Sequence, residues 1–294
     1  MNYPSLCAQN KKTMKTLFKS AAILAFACLA FYSCASSARS AAASPEKVAV
    51  VAHRGFWNCP EAGYAQNSVA ALKAAQDAGF WGSEFDVQLT SDGVVVANHD
   101  KEYGPKKMII AQHSYEELAQ YPLPNGEKLP TLAEYLQQGL KCPSTILVLE
   151  FKEQANDTLT ARLVDSSMEI IREVGLYDPS RICFISFSRF ACERMVEKYP
   201  EFKVQFLSMN PFTSISAAKA GELGFEGLDY WIMLFRLNPG LVADLHSRGL
   251  KANVWTVDKG KTMESMFRLG VDMLTTNGPL HARALLGERE LKNF

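Results

Sequence analysis

From residue 48 onward the chain alternates short runs of β-branched and aromatic residues with longer amphipathic stretches, and this alternation limits the fold more than any other feature of the sequence. Strands separated by helices pair in parallel, because each helix carries the chain back along the sheet before the next strand begins. The spacing predicts strands at Val48–His53, Gly82–Gln88, Thr145–Glu150, Arg181–Ser186, Lys203–Leu207, Phe225–Tyr230, Lys251–Thr256 and Val271–Thr276. Eight such strands in one α/β domain favour closure into a (β/α)8 TIM barrel over an open doubly wound sheet. Helices are expected at Ser68–Ala78, Thr131–Gln138, Thr158–Val174, Arg189–Lys198, Pro239–Arg248, Lys259–Leu269 and Pro279–Leu286. Gly79, Gly175, Gly249 and Gly270 follow four of them closely, where a left-handed residue ends a helix.

One connection breaks the rhythm. Val94–Ala97 reads as an extra short strand after the turn Ser91-Asp92-Gly93, and residues 101–130 hold Pro and Gly with only a brief helical pattern. This is a short excursion after the second strand, at the barrel mouth, where such segments shape access to a site.

The N-terminus reads as an address. Lys11, Lys12, Lys15 and Lys19 precede an apolar run from Ala21 to Tyr32, short for a membrane span and right for a secretory leader. Residues 1–44 are therefore expected to be leader and tether, and residues 45–294 the working domain. Phe31-Tyr32-Ser33-Cys34-Ala35 is similar to a bacterial lipoprotein box, in which Cys34 is lipidated and becomes the mature N-terminus. Cleavage near Ala38 or Ala43 is the competing reading. Both predict export from a bacterial cytoplasm, either into the periplasm or onto a membrane through the lipid on Cys34, the only membrane contact expected.

Lys and Arg number 31 and so do Asp and Glu, so no overall field draws the chain to nucleic acid, and a small molecule is the expected partner. Past the leader, Cys59, Cys142, Cys183 and Cys192 show no Cys-x-x-Cys spacing, so no zinc site is expected. Cys183 and Cys192 fall in a predicted strand and the helix after it, where buried free thiols are common.

The chemistry is concentrated at strand ends. In a (β/α) barrel the C-terminal strand ends converge on one mouth. Here three of them read His53-Arg54-Gly55, Glu84-Phe85-Asp86 and Glu150-Phe151-Lys152. Glu84 and Asp86 stand two apart on a strand and so share a face. With Glu150 from the next strand they make three carboxylates whose mutual repulsion calls for a cation, and oxygen ligands suit one hard divalent ion, Ca2+ or Mg2+. The bland alternative is an ion-paired strand end, with Arg54 and Lys152 as partners. His53 and His99 each lie beside a charged residue at a predicted strand terminus; imidazole titrates near neutrality, so one can take a proton from a nucleophile and the other give one to a leaving alkoxide. Arg54 and Lys152 offer a planar fork and a point charge to phosphoryl oxygens. No Gly-x-Ser-x-Gly elbow and no nucleotide-binding glycine loop is present.

In this order the motifs resemble the glycerophosphodiester phosphodiesterase family. The likeness runs from Val50-Val51-Ala52-His53-Arg54-Gly55 through Gln66-Asn67-Ser68, Gly82-x-Glu84-x-Asp86-Val87, Thr90-x-Asp92-Gly93 and His99-Asp100 to Leu149-Glu150-x-Lys152. It closes with Val254-Trp255-Thr256-Val257 and Gly270-Val271-Asp272-x-Leu274-Thr275-Thr276-Asn277. The resemblance implies His53 and His99 as the acid–base pair, Glu84, Asp86 and Glu150 as ligands of one divalent cation, and Arg54 and Lys152 as phosphate contacts. It implies hydrolysis of a small glycerophosphodiester to an alcohol and sn-glycerol 3-phosphate. Trp255 either packs against the glycerol carbons or belongs to the core. Lysophospholipids or other phosphodiesters are alternative substrates, and a lipoprotein that binds phosphodiesters without cleaving them is a third reading, which the paired histidines disfavour because binding needs no proton shuttle. The chain departs from the family at Gln66, where Glu is usual, and in an excursion without the Asp-Arg-Thr-Thr stretch common there.

Overall fold

The computed structural model describes residues 48–292. The expected leader, with Cys34, lies outside the described residues. Eight parallel strands close a barrel: β1 (Ala49–Ala52), β2 (Gly82–Leu89), β6 (Ile146–Phe151), β7 (Ile182–Ser186), β8 (Val204–Ser208), β9 (Gly227–Trp231), β10 (Lys251–Trp255) and β11 (Met273–Thr276). Closure comes from β1, which pairs with β11 along its whole length and with β2 through Val51 opposite Gly82. The short strand expected after the Ser91-Asp92-Gly93 turn is β3 (Val95–Ala97), and it folds back antiparallel on β2. A two-stranded ribbon of β4 (Glu102–Tyr103) and β5 (Met108–Ile109) and a one-turn helix α2 (Tyr115–Leu118) complete the excursion. It packs on its own small core of Val96, Tyr103, Ile110, Leu118 and Leu129.

Helices α1 (Val69–Asp77), α3 (Leu132–Gly139), α4 (Asp157–Val174), α5 (Arg189–Lys198), α8 (Leu241–Ser247) and α9 (Gly260–Leu269) fall where the amphipathic pattern put them, and α10 (Pro279–Lys292) runs on past the expected end at Leu286. Local chemistry starts them. Ser68, Asn156 and Ser188 each accept a hydrogen bond from the backbone three residues on, and Thr131 and Glu134 form a reciprocal capping box. Each such cap stabilises its helix by about 1 kcal/mol. Two short helices, α6 (Ala217–Glu222) and α7 (Ile232–Leu237), were not expected, because six residues are too few to show a helical period. α7 follows directly on β9, which runs Gly227–Trp231 where Phe225–Tyr230 had been expected. No helix among the described residues is long and apolar enough to cross a membrane.

The barrel has two cores. Outward strand residues pack with the helices in a large shell that includes Phe85, Phe151, Phe184 and Leu228. Inward residues form a smaller cluster of Val51, Val148, Cys183, Ile185, Leu207 and Met273. Because strand side chains alternate, the inward parity that buries Val51, Val148, Ile185 and Leu207 also turns His53, Glu84, Asp86, Glu150 and Phe187 inward, towards the mouth. Cys59, Cys183 and Cys192 are buried and Cys142 is half-buried; all four are free thiols.

Candidate active site

The first loop bends sharply. Arg54 and Gly55 both adopt left-handed backbone angles, φ 56° and 77°. That bend aims the Arg54 N–H at the Glu84 carboxylate, 2.7 Å from Oε2, and the Gly55 N–H at the Glu84 carbonyl, 2.9 Å away. Gly55 is required twice over, by its angle and because a Cβ there would lie 2.6 Å from the Ala71 Cβ. Asn67 is also left-handed, at φ 55°, a conformation asparagine tolerates. Its amide clamps Asp86 from both sides: Nδ2 donates to Oδ2 at 2.9 Å and Oδ1 accepts from the Asp86 N–H at 3.1 Å.

Register puts Asp86 opposite Glu150 and Glu84 opposite Val148. Glu84, Asp86 and Glu150 are all buried, and each offers an oxygen within 4.8 Å of the others. The bland alternative is met in part. Lys152 Nζ stands 2.8 Å from Glu150 Oε1 and 3.3 Å from Asp86 Oδ1, while Arg54 Nε is 3.9 Å from Asp86 Oδ2. Two cations beside three buried carboxylates leave one negative charge uncompensated. Accordingly Asp86 is held below the usual carboxylate range: burial pushes it up, but Lys152, His99, the Asn67 amide and Arg54 outweigh that. Glu84 is pushed well up by burial and by the charges of Asp86 and Glu150, and Glu150 is pushed up by burial and by Asp86. Asp86 Oδ1 and Glu150 Oε1 accept no aligned hydrogen bond. A cluster of three inward carboxylates short of positive charge, with no sulfur or imidazole among them, fits a hard divalent cation.

The two histidines differ. His53 Nδ1 lies 2.8 Å from Asn277 Oδ1, which also accepts from Trp57 Nε1 at 3.0 Å. The Asn277 amide cannot turn over, because its Nδ2 donates to Asp258 Oδ2 at 2.9 Å. With Oδ1 fixed as the acceptor, Nδ1 of His53 carries the proton and Nε2 keeps its lone pair. Nε2 stands 4.0 Å from Glu84 Oε2. Burial, with the Arg54 charge, lowers the His53 pKa to about 4, so the ring is neutral at pH 7. His99 is partly exposed, and its Nδ1 lies 2.6 Å from Asp100 Oδ1. Burial lowers its pKa too, while Asp86 and Asp100 pull it back up against Lys152 and Arg54.

Two adjacent cavities open at this mouth and share His99, Glu150 and Phe187. One, of about 310 Å³, is ringed by the charged residues Asp100, Lys101, Lys152 and Glu153. The other, of about 230 Å³, holds His53, Arg54 and Glu84 on one side and Ile185, Leu207, Met209 and Trp255 on the other. Trp255 is thus on the cavity wall, half-buried, edge-on to Phe187 with ring centres 5.4 Å apart. All eight residues expected from the sequence therefore meet at one mouth. Asn67, Asn277 and Asp258 had not been read as parts of the site, and Gln66 had been read only as a departure from the family's Glu. Gln66 Oε1 accepts from Arg54 Nη1 at 2.6 Å, so a neutral amide orients the guanidinium without adding a further negative charge beside it.

Residues 53–281 match the model of the glycerophosphoryl diester phosphodiesterase family. A glycerophosphodiester phosphodiesterase of Caldanaerobacter subterraneus is 27% identical over 79% of this chain and 95% of its own length. The crystal structure of a glycerophosphodiester phosphodiesterase from Parabacteroides distasonis is 36% identical, superposes with a TM-score of 0.78, and is covered over 99% of its length by 84% of this chain. An Oleispira antarctica phosphodiesterase, solved with its product sn-glycerol-3-phosphate, shares the fold at 24% identity and a TM-score of 0.68, over 81% of this chain and 96% of that one. With a family match that starts at the first histidine of the mouth, and the same barrel in a relative covered end to end, this chain belongs to the glycerophosphodiester phosphodiesterase family and is a phosphoric diester hydrolase.

Proposed function

We propose that the protein hydrolyses small glycerophosphodiesters to an alcohol and sn-glycerol 3-phosphate, with one Ca2+ or Mg2+ held by Glu84, Asp86 and Glu150 and with His53 and His99 moving the protons. The observation that carries this reading is a cluster of three under-compensated carboxylates, of which Glu84 and Glu150 line one cavity together with two differently held imidazoles. A hard cation there would polarise a phosphoryl oxygen.

The chain's own groups supply the rest. His53, neutral and with Nε2 unprotonated, takes the proton of the attacking hydroxyl, whether water or the substrate's own neighbouring group. His99 lines both cavities beside Asp100, so it can return a proton to an alcohol leaving through the one ringed by charged residues. Arg54 and Lys152 face the negative charge that grows on the equatorial oxygens. Of residues 101–130 only Lys101 lines either cavity, which favours a compact polar head group. Met209 and Phe212, exposed on the loop after β8, favour lysophospholipid as the second substrate to try.

Export follows from the leader, and we place the protein in the periplasm or on a membrane through a lipid on Cys34. Radiolabelled palmitate retained by the wild type and lost in Cys34→Ser supports the anchor; equal labelling of both rejects it.

The functional test is incubation with glycerophosphocholine, glycerophosphoethanolamine, lysophosphatidylcholine and bis(p-nitrophenyl) phosphate, with and without Ca2+ or Mg2+. Cation-dependent release of glycerol 3-phosphate is expected from the first two. Undiminished turnover in excess chelator, or turnover of lysophosphatidylcholine alone, refutes the assignment.

A further inference from the structure

Asp229 is a carboxyl group that neither the cation cluster nor the acid–base pair uses. It lies on β9 with Leu207 beside it on β8 and Asn253 beside it on β10. The inward parity of Leu207 turns Asp229 into the barrel as well, and it lines the same cavity as His53, Glu84, His99 and Trp255. It is 1% exposed, and its Oδ1 has no hydrogen-bond partner among the described residues. No ion pair reaches it among them either. It is also not one of the three carboxylates clustered for a cation.

A buried carboxyl without a partner is costly, and at the neighbouring register position the chain uses Leu207, which fills the barrel at no such cost. Keeping Asp229 calls for something that arrives in the cavity with a hydrogen bond to give. The main chain of the same residue helps to build the place: the Asp229 carbonyl accepts from Trp255 Nε1 at 3.0 Å, which fixes the indole on the wall above it. One residue thus sets both a polar acceptor and an apolar plate, the two surfaces that a short polyol needs for its hydroxyls and its CH2 groups.

Resting on the reading above, we propose that Asp229 recognises the glycerol moiety, its carboxyl hydrogen-bonding a free glycerol hydroxyl while Trp255 covers the carbons. Burial, and then the charge of Glu150, pushes the Asp229 carboxyl well up, towards a neutral form that both donates to and accepts from a hydroxyl. Asp229 makes no bond to the reacting phosphorus, so it sets which phosphodiester is bound rather than how it is cleaved.

The test compares a ligand that carries hydroxyls with one that lacks them. Wild type, Asp229→Leu and Asp229→Asn are titrated by calorimetry with glycerol 3-phosphate and with ethyl phosphate, in the presence of Mg2+. Wild type is expected to prefer glycerol 3-phosphate by about 10-fold or more, the worth of a buried hydrogen bond to this group. Asp229→Leu loses that preference to within about threefold, and Asp229→Asn keeps part of it, because an amide still bonds a hydroxyl. In kinetics, the ratio of kcat/KM for glycerophosphocholine to that for bis(p-nitrophenyl) phosphate falls about 10- to 100-fold in Asp229→Leu. A preference unchanged in Asp229→Leu, or a wild type that binds both phosphates alike, overturns the proposal. Failure to hydrolyse any phosphodiester refutes the proposed function instead, and the binding comparison still decides on Asp229; Mg2+ binding by each variant checks that it is folded.

Discussion

Replacing Asn67 by Ala tests how the carboxylate cluster is held. Asn67 is 2% exposed and makes two hydrogen bonds to Asp86, one to its backbone N–H and one to its carboxylate. Truncation removes a hydrogen bond from each of these two buried groups, at about 1–3 kcal/mol each. Alanine at φ 55° adds about 1 kcal/mol of left-handed strain, which Asn67→Gly avoids. The sum is roughly 3–7 kcal/mol, and for a chain of this size each kcal/mol lowers Tm by about 2–4 °C. Asn67→Ala should therefore melt on the order of 10–20 °C below wild type by scanning calorimetry, with Asn67→Gly a few degrees above it. Both should bind a divalent cation at least about 10-fold more weakly, since a neighbour that orients a ligand is worth about that much. Wild-type stability and cation affinity in Asn67→Ala would refute the clamp.

Two further expectations follow from other hydrogen bonds. Asn277→Leu frees the His53 ring to take the wrong tautomer, so kcat should fall about 10²-fold or more with KM little changed and cation binding intact, and a shift confined to KM would contradict the positioning role. Asp272 accepts from the Ala252 N–H and from His246 Nε2, each at 2.8 Å, and faces Lys251 Nζ at 2.9 Å. Burial pushes its carboxyl up, yet the Ala252 N–H, His246 and Lys251 together hold it below the ordinary value. A lowered folded-state pKa contributes stability that is complete above the unfolded value of about 3.9 and is lost as pH falls through the lower folded value. Asp272→Asn should thus cost about 1–2 kcal/mol in urea melts at pH 7, with the gap closing below about pH 4. A gap independent of pH would refute the linkage.

What the sequence disclosed and what it withheld separate along physical lines. Parallel strands are short apolar runs at regular spacing, and Glu84, Asp86 and Glu150 interrupt those runs, so both the strands and the carboxylate cluster were legible. The loop residues Asn67 and Asn277 were quoted within family motifs, but their roles depend on partners such as Asp86 and His53, the latter 224 residues from Asn277. A lone polar residue in a loop gives no local sign of such a partner. Asp229 was hidden for the opposite reason: within a run of Leu228, Tyr230 and Trp231 it passes for an ordinary strand position until register shows which way it points. Gln66 was visible only as a departure, and its bond to Arg54 shows what the amide does: it orients the guanidinium without bringing a second carboxylate beside the one of Asp86.

Glu84, Asp86 and Glu150 are proposed to share one cation. Isothermal titration of purified wild type with Ca2+ and Mg2+ should give a single site, and Glu84→Gln, close in shape but one charge poorer, should show no measurable uptake together with loss of glycerophosphocholine hydrolysis. Full uptake by Glu84→Gln, or full activity without it, would contradict the claim.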